Sequence, residues 1–172
     1  TEYIHLGKKL RDLGIPLEIS GGETADCGDL VRTLLVDGTL VGRIKKSELI
    51  SANNIAPGDL VIGLSSSGKT TYEDVVNSGI GSNGLTLARH ALLSKINATN
   101  YPEVLDPNLE QAHSYQGPFQ VTDSPSVLSM TVGDAMSSPT RTFSPVLKSI
   151  LDAHHGDISG IIHLTGGAHG KV

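Results

Sequence analysis

Long apolar runs are missing from this chain of 172 residues. No run approaches the ~20 residues that a transmembrane helix requires, so we expect no membrane association. Cysteine is scarce as well, because Cys27 is the only one in the sequence. A single cysteine excludes an internal disulfide and is typical of a reducing compartment, which predicts a cytoplasmic location.

Positive charge is also in short supply. The sequence has 13 Lys and Arg residues against 18 Asp and Glu residues, which gives a formal net charge of -5. The densest basic group, Arg43 with Lys45 and Lys46, lies at the end of a predicted strand, where a solvated edge explains it. We therefore expect no nucleic-acid partner. The remaining composition, 38% hydrophobic and 18% charged, is that of a globular chain with a sizeable core.

Apolar residues at helical spacing predict several helices. The first runs from about Ile4 to Leu13 and ends at Gly14. The second covers residues 85–96 and is capped by Ser82 or Asn83. One helical turn is predicted at residues 132–136, and a further helix opens at Ser144 with Pro145 in its first turn. Residues 97–125 are polar and aperiodic, which predicts a long surface excursion.

Apolar runs between these helices predict strands at residues 15–19, 60–64 and 159–164. Residues 30–46 contain the hairpin dipeptide Asp37-Gly38 and also fit one long strand. Together the elements predict an α/β fold of the α+β type, with mixed sheets covered by helices. Because the chain starts and stops inside predicted elements, we expect a fragment of a longer polypeptide.

The stretch from Gly63 to Thr70 matches the phosphate-loop pattern G-x-x-x-x-G-K-[ST]. A working phosphate loop needs a stable helix that begins at the Lys-Thr pair, so that backbone amides converge on the phosphates. Residues 70–76 are instead rich in β-branched side chains and are followed by Asn77-Ser78-Gly79, which allows at most about two helical turns. A P-loop kinase is therefore an alternative function.

Gly21, Gly22, Glu23 and Thr24 follow the predicted strand at residues 15–19. Two glycines let the backbone approach a ligand closely, and a carboxylate beside a hydroxyl can bind a metal-bound nucleotide or receive a proton. An ordinary turn with Glu23 in solvent explains the same residues, so both interpretations stay open.

Ser82, Asn83 and Gly84 lead into the predicted helix at residues 85–96. Unpaired amides, polar side chains and a helix dipole are the components of an anion site, and a simple helix cap uses the same groups. Arg141, between two hydroxyl residues, can clamp a phosphate or form a surface ion pair. His163 lies in a predicted strand, as a catalyst or as a hydrogen-bonded core residue.

These segments, in this order, resemble aminoimidazole ribonucleotide synthetases, also called phosphoribosylformylglycinamidine cyclo-ligases. The resemblance rests on Gly21-Gly22-Glu23-Thr24-Ala25, residues 41–48, Pro57-Gly58-Asp59 with Gly63-Leu64-Ser65-Ser66, Ser82-Asn83-Gly84, Pro139-Thr140-Arg141 and His163-Leu164-Thr165-Gly166-Gly167. Each motif is modest alone, whereas six in one order across nearly the whole chain form a specific signal.

The resemblance implies a two-domain subunit, each domain a mixed sheet covered by helices, that forms a homodimer. Residues 1–50 would be the end of the N-terminal ATP-binding domain, and residues 51–172 the first part of the C-terminal domain. The acidic segments that bind magnesium and nucleotide in the family would lie outside this chain. We therefore expect the chain alone to be inactive.

The family reaction uses ATP and Mg²⁺ to cyclise formylglycinamidine ribonucleotide, a small-molecule substrate, to aminoimidazole ribonucleotide in purine biosynthesis. Glu23 and Thr24, near the nucleotide or its metal, and His163 are the predicted catalytic residues. Charge that builds on phosphoryl oxygens calls for amides, arginine and glycine loops. The predicted substrate and phosphate contacts are Gly21, Gly22, Ser65, Ser66, Ser82, Asn83, Gly84, Arg141, Thr165, Gly166 and Gly167.

The chain departs from the family pattern in two stretches, residues 69–81 and residues 25–38. Residues 69–80 are inserted between two motifs that are almost adjacent in most members, and Gly81 stands where those members have a histidine. The loop after Ala25 is short, and Asp37-Gly38 falls where the family has one continuous strand, which we favour over the hairpin. Alternatives are a selenophosphate synthetase or thiamine-monophosphate kinase type of the same superfamily, and a non-catalytic binding module.

Overall fold

The computed structural model describes residues 2–29, 31, 34–165 and 170. The α-helices of this part are α1 Glu2–Asp12, α2 Gly81–Leu92, α3 Lys95–Asn100, α4 Val132–Ser137 and α5 Ser144–His154. Short 3-10 helices lie at Lys46–Glu48, Ala52–Asn54, Pro102–Val104, Gln111–His113 and His155–Asp157. Within the same residues, every helix is too short or too polar to cross a bilayer.

The chain divides into two compact units. The first unit comprises Thr1–Gly28, Val36–Val61 and Thr142–Val172, and it contains α1 and α5. The second unit comprises Asp29–Leu35 and Ile62–Arg141, and it contains α2, α3 and α4. The predicted domain boundary at residue 50 concerns a longer protein and stays a prediction.

Helix predictions are confirmed in the first unit. α1 covers the predicted apolar repeat from Ile4 to Leu10, buries Leu10 and ends one residue before Leu13. Gly14 follows it with a φ of 78°, the left-handed conformation that glycine adopts without strain. α5 begins at Ser144 and has Pro145 in its first turn, where the missing amide proton costs no intrahelical hydrogen bond.

The prediction for α2 is correct in type and wrong in its bounds. The helix spans Gly81–Leu92 rather than residues 85–96, so Ser82 and Asn83 lie inside the first turn instead of capping it. The preceding residue, Ile80, makes no side-chain cap. Thr140 Oγ1 instead accepts the Ser82 amide proton at 3.0 Å. A hydroxyl that is distant in sequence therefore caps the helix in place of a neighbouring residue.

The predicted strands form no sheet in the described residues, whose ladder contacts are two isolated bridges. One joins Gly68 to Asn77 and the other joins Leu93 to Phe119. Residues 15–19, 60–64 and 159–164 have no regular secondary structure. In the predicted strand or hairpin at 30–46, the described residues up to 45 are also irregular, and Lys46 begins a 3-10 helix.

The exposure of these segments gives the physical reason. Leu60 is 89% exposed and Ile62 is 82% exposed. An apolar run becomes a strand only when a neighbouring strand supplies hydrogen bonds and side-chain contacts, and the run itself does not encode that neighbour. These segments therefore do not form the mixed sheets that the sequence predicted.

A small core holds the second unit together. Leu93, Tyr115 and Val132 are buried, and Ala98, Val104, Leu105, Phe119 and Met136 pack against them. Val132 lies in α4, which confirms the helical turn predicted there. Tyr115 and Phe119 come from the segment predicted as a surface excursion, and that prediction is wrong for Tyr115, which is 2% exposed. A few apolar side chains anchor a segment that has no periodicity.

Candidate functional site

Residues 138–141 form the centre of the candidate site, because each of them is hydrogen-bonded to residues 65–82. The Ser138 hydroxyl accepts the Ser78 amide proton at 3.1 Å. The carbonyl oxygen of Pro139 accepts a proton from Asn77 Nδ2 at 2.8 Å, and Asn77 is itself buried. These contacts join two stretches that lie about sixty positions apart in the sequence.

Arg141 forms a buried ion pair with Glu73. The Arg141 side chain is 5% exposed and the Glu73 side chain 16% exposed. Arg141 Nε donates to Oε1 at 2.8 Å and Nη2 donates to Oε2 at 2.9 Å, the two-pronged geometry that fits a carboxylate best. The hydrogen bond from Arg141 lowers the pKa of Glu73, and Glu73 in turn raises the pKa of Arg141.

The other Arg141 donors face backbone carbonyl groups. Nη1 donates to the carbonyl oxygens of Ser65 at 2.6 Å and Ser67 at 3.2 Å, and Nη2 donates to that of Gly68 at 2.8 Å. A guanidinium has five N–H donors, and these contacts with the two to Glu73 use all of them. The predicted role of Arg141 as an anion contact stays a prediction, and a phosphate here would have to displace one of these acceptors.

A phosphate loop turns its backbone amides toward an anion. In the stretch from Gly63 to Thr70, three carbonyl oxygens instead face the Arg141 guanidinium, which is a cation. Two amides of this stretch have acceptors within the protein: that of Gly68 donates to the Asn77 carbonyl at 2.9 Å, and that of Thr70 to Glu73 Oε2 at 2.8 Å. Residues 69–80 are all described and contain no helix. These contacts disfavour nucleotide binding by the P-loop pattern.

Lys69, Ser65 and Ser66 belong to the same network. Lys69 Nζ donates to the carbonyl oxygen of Asp74 at 2.9 Å, within the inserted segment. Ser65 Oγ lies 3.0 Å from Ser67 Oγ, and Ser66 Oγ donates to the carbonyl oxygen of Gly79 at 3.4 Å. The predicted substrate roles of the two serines stay predictions.

Gly81 occupies the position where the family pattern has a histidine. Its φ is 61°, and a Cβ at this residue would lie 3.1 Å from Thr140 Oγ1. A side chain at position 81 would therefore strain the backbone and crowd the hydroxyl that accepts the Ser82 amide proton. Thr140 can approach α2 this closely because position 81 carries no side chain such as the histidine of the family pattern.

A cavity of about 440 Å³ opens beside the first turn of α2. Its lining combines hydroxyl groups with apolar side chains, a mixture that suits a small organic ligand. The lining residues are Gly81, Ser82, Leu85, Val121, Gly133, Met136, Ser137, Ser138 and Pro139. Of the predicted substrate contacts, Ser82 lines the cavity, and Asn83 and Gly84 follow it in the same helical turn.

Gly21, Gly22, Glu23, Thr24, His163 and Thr165 lie in the first unit, and their roles stay predictions. Gly21, Gly22, Glu23 and Thr24 are exposed and have no regular secondary structure. The same holds for His163. A Cβ at either glycine would meet nothing within 4 Å. Thr165 is half-buried. Gly166 and Gly167 lie outside the described residues.

The predicted magnesium ion stays a prediction. Among the described residues, no three His, Cys, Asp or Glu side chains lie close enough together to hold a metal ion. Glu23 is a single carboxylate, and a magnesium ion usually takes its other oxygen ligands from water and from nucleotide phosphates. We therefore assign no step of a reaction to magnesium through these residues.

Glu73 was missed by the sequence prediction. It lies in the segment 69–80, which the family pattern identified only as an insertion. Its partner Arg141 is 68 positions away, so no local spacing connects the two residues. The available signal was the arginine itself, because a buried guanidinium requires a carboxylate partner.

Comparisons with known proteins give a consistent result. No family model matches the chain. A protein of Methanococcus vannielii is 33% identical over all of this chain and 40% of its own length, and one of Methanococcus maripaludis is 31% identical over 97% of this chain and 38% of its own length. A protein of Methanocaldococcus jannaschii is 29% identical over 91% of this chain and 35% of its own length.

All three relatives are named phosphoribosylformylglycinamidine cyclo-ligase. The resemblance predicted from the six motifs is therefore confirmed. The chain spans 35 to 40% of the length of these relatives. The similarity suggests an α/β synthetase fold, although the described residues are mainly helical and irregular.

Proposed function

We propose, because this chain is homologous to a segment of the phosphoribosylformylglycinamidine cyclo-ligases, that the protein containing it cyclises formylglycinamidine ribonucleotide in purine biosynthesis with ATP. The observation that carries the proposal is the similarity along the chain to enzymes of that name. The cavity beside Ser82 supports it, because its size and mixed lining suit a nucleotide.

In this proposal the second unit binds the ribonucleotide. Amides in the first turn of a helix have no acceptor within the helix, and the helix dipole favours negative charge there. We place the ribose phosphate near Asn83 and Gly84, beside the cavity. Leu85 and Met136 in the cavity lining would shield part of the ligand from water.

ATP supplies the phosphoryl group that activates the formyl oxygen, after which the neighbouring nitrogen closes the ring and phosphate leaves. Hydrogen-bond donors aimed at the developing charge lower the barrier. In the second unit we propose Ser82 as such a donor. In the first unit we propose Glu23 and Thr24 for the nucleotide and His163 for proton transfer. Mg²⁺, a homodimer and a cytoplasmic location belong to the same proposal.

The test is an assay of the protein that contains this chain, with ATP and formylglycinamidine ribonucleotide. We expect ribonucleotide-dependent release of phosphate, and a reduction of kcat/KM by about tenfold or more for Ser82→Ala. Thr86→Ala, an exposed hydroxyl one turn further along α2, is the matched control and should leave kcat/KM unchanged. Absence of ribonucleotide-dependent phosphate release would contradict the proposal and favour a non-catalytic module.

Lys69→Ala separates the cyclo-ligase from a P-loop kinase. Because Lys69 Nζ binds the carbonyl oxygen of Asp74, we expect ATP affinity to be unchanged. A collapse of ATP binding would assign the phosphates to the stretch 63–70. Consumption of ATP in the presence of selenide or thiamine monophosphate, and not in the presence of the ribonucleotide, would identify the other types of this superfamily.

A further inference from the structure

We propose that Glu73 is a positioning residue for the cavity beside α2, acting through Arg141 and Thr140. The identity of the ligand rests on the proposed function, whereas the positioning rests on contacts within the second unit. Glu73 does not line the cavity, so it receives no catalytic role. It lies in the inserted segment 69–80, which gives that segment a purpose.

The first step is the anchoring of Arg141. A buried guanidinium is tolerated when its charge is balanced and its donors are satisfied. Glu73 supplies a full negative charge and two of the five acceptors. The three others are carbonyl oxygens of residues 65–68, which cannot balance the charge. Removal of the Glu73 charge is therefore expected to release Arg141.

The second step is the restriction of Thr140. It is bonded directly to Arg141 on one side and to Pro139 on the other. The proline ring fixes its own φ, and its carbonyl oxygen is held by Asn77 Nδ2 at 2.8 Å. Thr140 is thus fixed on both sides, and its Oγ1 lies 3.0 Å from both the amide nitrogen and the hydroxyl oxygen of Ser82.

The third step reaches the cavity. Gly81 and Ser82 both line it, and Thr140 Oγ1 holds the Ser82 amide while closely approaching Gly81. When Thr140 is held, the first turn of α2 has one conformation, and its next amides present a fixed geometry to an anion. When Glu73 loses its charge, the cavity wall loses this support without losing a residue that touches the ligand.

The experiment compares Glu73→Gln, Thr140→Val and Thr140→Ser with the matched control Glu103→Gln, an exposed glutamate of the same unit. Hydrogen exchange of the Ser82 amide, followed by NMR, reports the positioning without any ligand. Calorimetric titration with formylglycinamidine ribonucleotide reports its effect on binding. If Glu73→Gln does not fold, Arg141→Lys replaces it. This variant keeps the positive charge but cannot form the two parallel hydrogen bonds to the Glu73 carboxylate.

We expect Glu73→Gln and Thr140→Val each to accelerate Ser82 exchange and weaken ribonucleotide binding by about tenfold. Thr140→Ser retains the hydroxyl and should restore both values, and Glu103→Gln should change neither. The double variant of Glu73→Gln with Thr140→Val should be no weaker than the single variants, because the two residues act in series.

Two outcomes separate the possible failures. Unchanged exchange of the Ser82 amide in folded Glu73→Gln, or additive losses in the double variant, would overturn the positioning role. Faster exchange in the variants together with no ribonucleotide binding by the parent chain would support the positioning of Ser82 and overturn the proposed function.

Discussion

The site region comprises residues 65–141, and the extended segments comprise residues 15–19, 34–45, 60–64 and 159–164. The two obtain their contacts in different ways. In the site region even a charged side chain is enclosed, since Arg141 is matched by five acceptors. In the extended segments apolar side chains face solvent, with Leu40 80% and Val41 88% exposed. Helices and polar contacts can be completed within one unit, whereas strands depend on a second strand.

The largest expected effect tests the enclosed charge. Arg141→Ala leaves the Glu73 carboxylate without its partner and three carbonyl groups without their donor, so we expect a loss of about 3 kcal/mol in the free energy of unfolding. Urea denaturation of this chain measures the loss. Arg43→Ala, at an exposed arginine, is the matched control. A similar small change in the free energy of unfolding for Arg141→Ala and Arg43→Ala would show that the enclosed Arg141 contributes no more to stability than an exposed arginine.

A second prediction concerns the apolar core of the site region. Val132 is 1% exposed, and Val132→Ala removes buried methyl groups and leaves a cavity, which costs about 2 kcal/mol. Val127 is 88% exposed, so Val127→Ala should change the free energy of unfolding by less than about 0.5 kcal/mol. Equal changes in the free energy of unfolding for Val132→Ala and Val127→Ala would mean that Val132 does not belong to the apolar core of the site region.

A third prediction uses the pH dependence of the site region. Burial lowers the pKa of His90 below its usual 6.5, with a smaller contribution from Arg89. His90 Nδ1 accepts the Tyr115 amide proton at 3.4 Å, which requires a neutral ring. Since the unfolded chain binds the proton more readily, this contribution to stability is complete above pH 6.5 and declines as the pH falls below it.

Denaturation at pH 7.5 and at pH 5.5 measures this decline. His90→Gln should make the free energy of unfolding less dependent on pH over this interval. His5→Gln, at an exposed histidine of the first unit, is the control and should leave the dependence as it is in the parent chain. A stability that rises toward acid pH because of His90 would contradict the assignment.

The smallest expected effect belongs to the extended segments. Leu60→Ala should change the free energy of unfolding by less than about 0.5 kcal/mol, because the side chain is 89% exposed. Urea denaturation again provides the value. A loss above about 2 kcal/mol would mean that Leu60 packs against another segment, as the sequence predicted for a buried strand.

Elements that close their own hydrogen bonds were predictable from the sequence. α1 with Gly14 and α5 with Pro145 follow from spacing, a C-terminal glycine and an N-terminal proline. The absence of a helix after Lys69 was also predictable, since residues 70–76 are rich in β-branched side chains. The true start of α2 was not, because it depends on Thr140, a residue 58 positions away from Ser82.

The candidate site shows the same division. Ser82 and Arg141 were identified by residue type and neighbours, and both lie in the network around α2. Glu73 was not identified, because its importance arises only when the fold brings it to Arg141. The strands were misassigned for a related reason, since an apolar run shows the capacity to pair and not the presence of a partner.

The most direct test of the account is a titration of this chain with formylglycinamidine ribonucleotide, followed by amide NMR signals. The account predicts saturable shifts at Ser82, Asn83 and Gly84, and none at Leu60 or Val61. Unchanged signals at Ser82, Asn83 and Gly84 while other residues shift, or no shift at any residue at millimolar ligand, would contradict it.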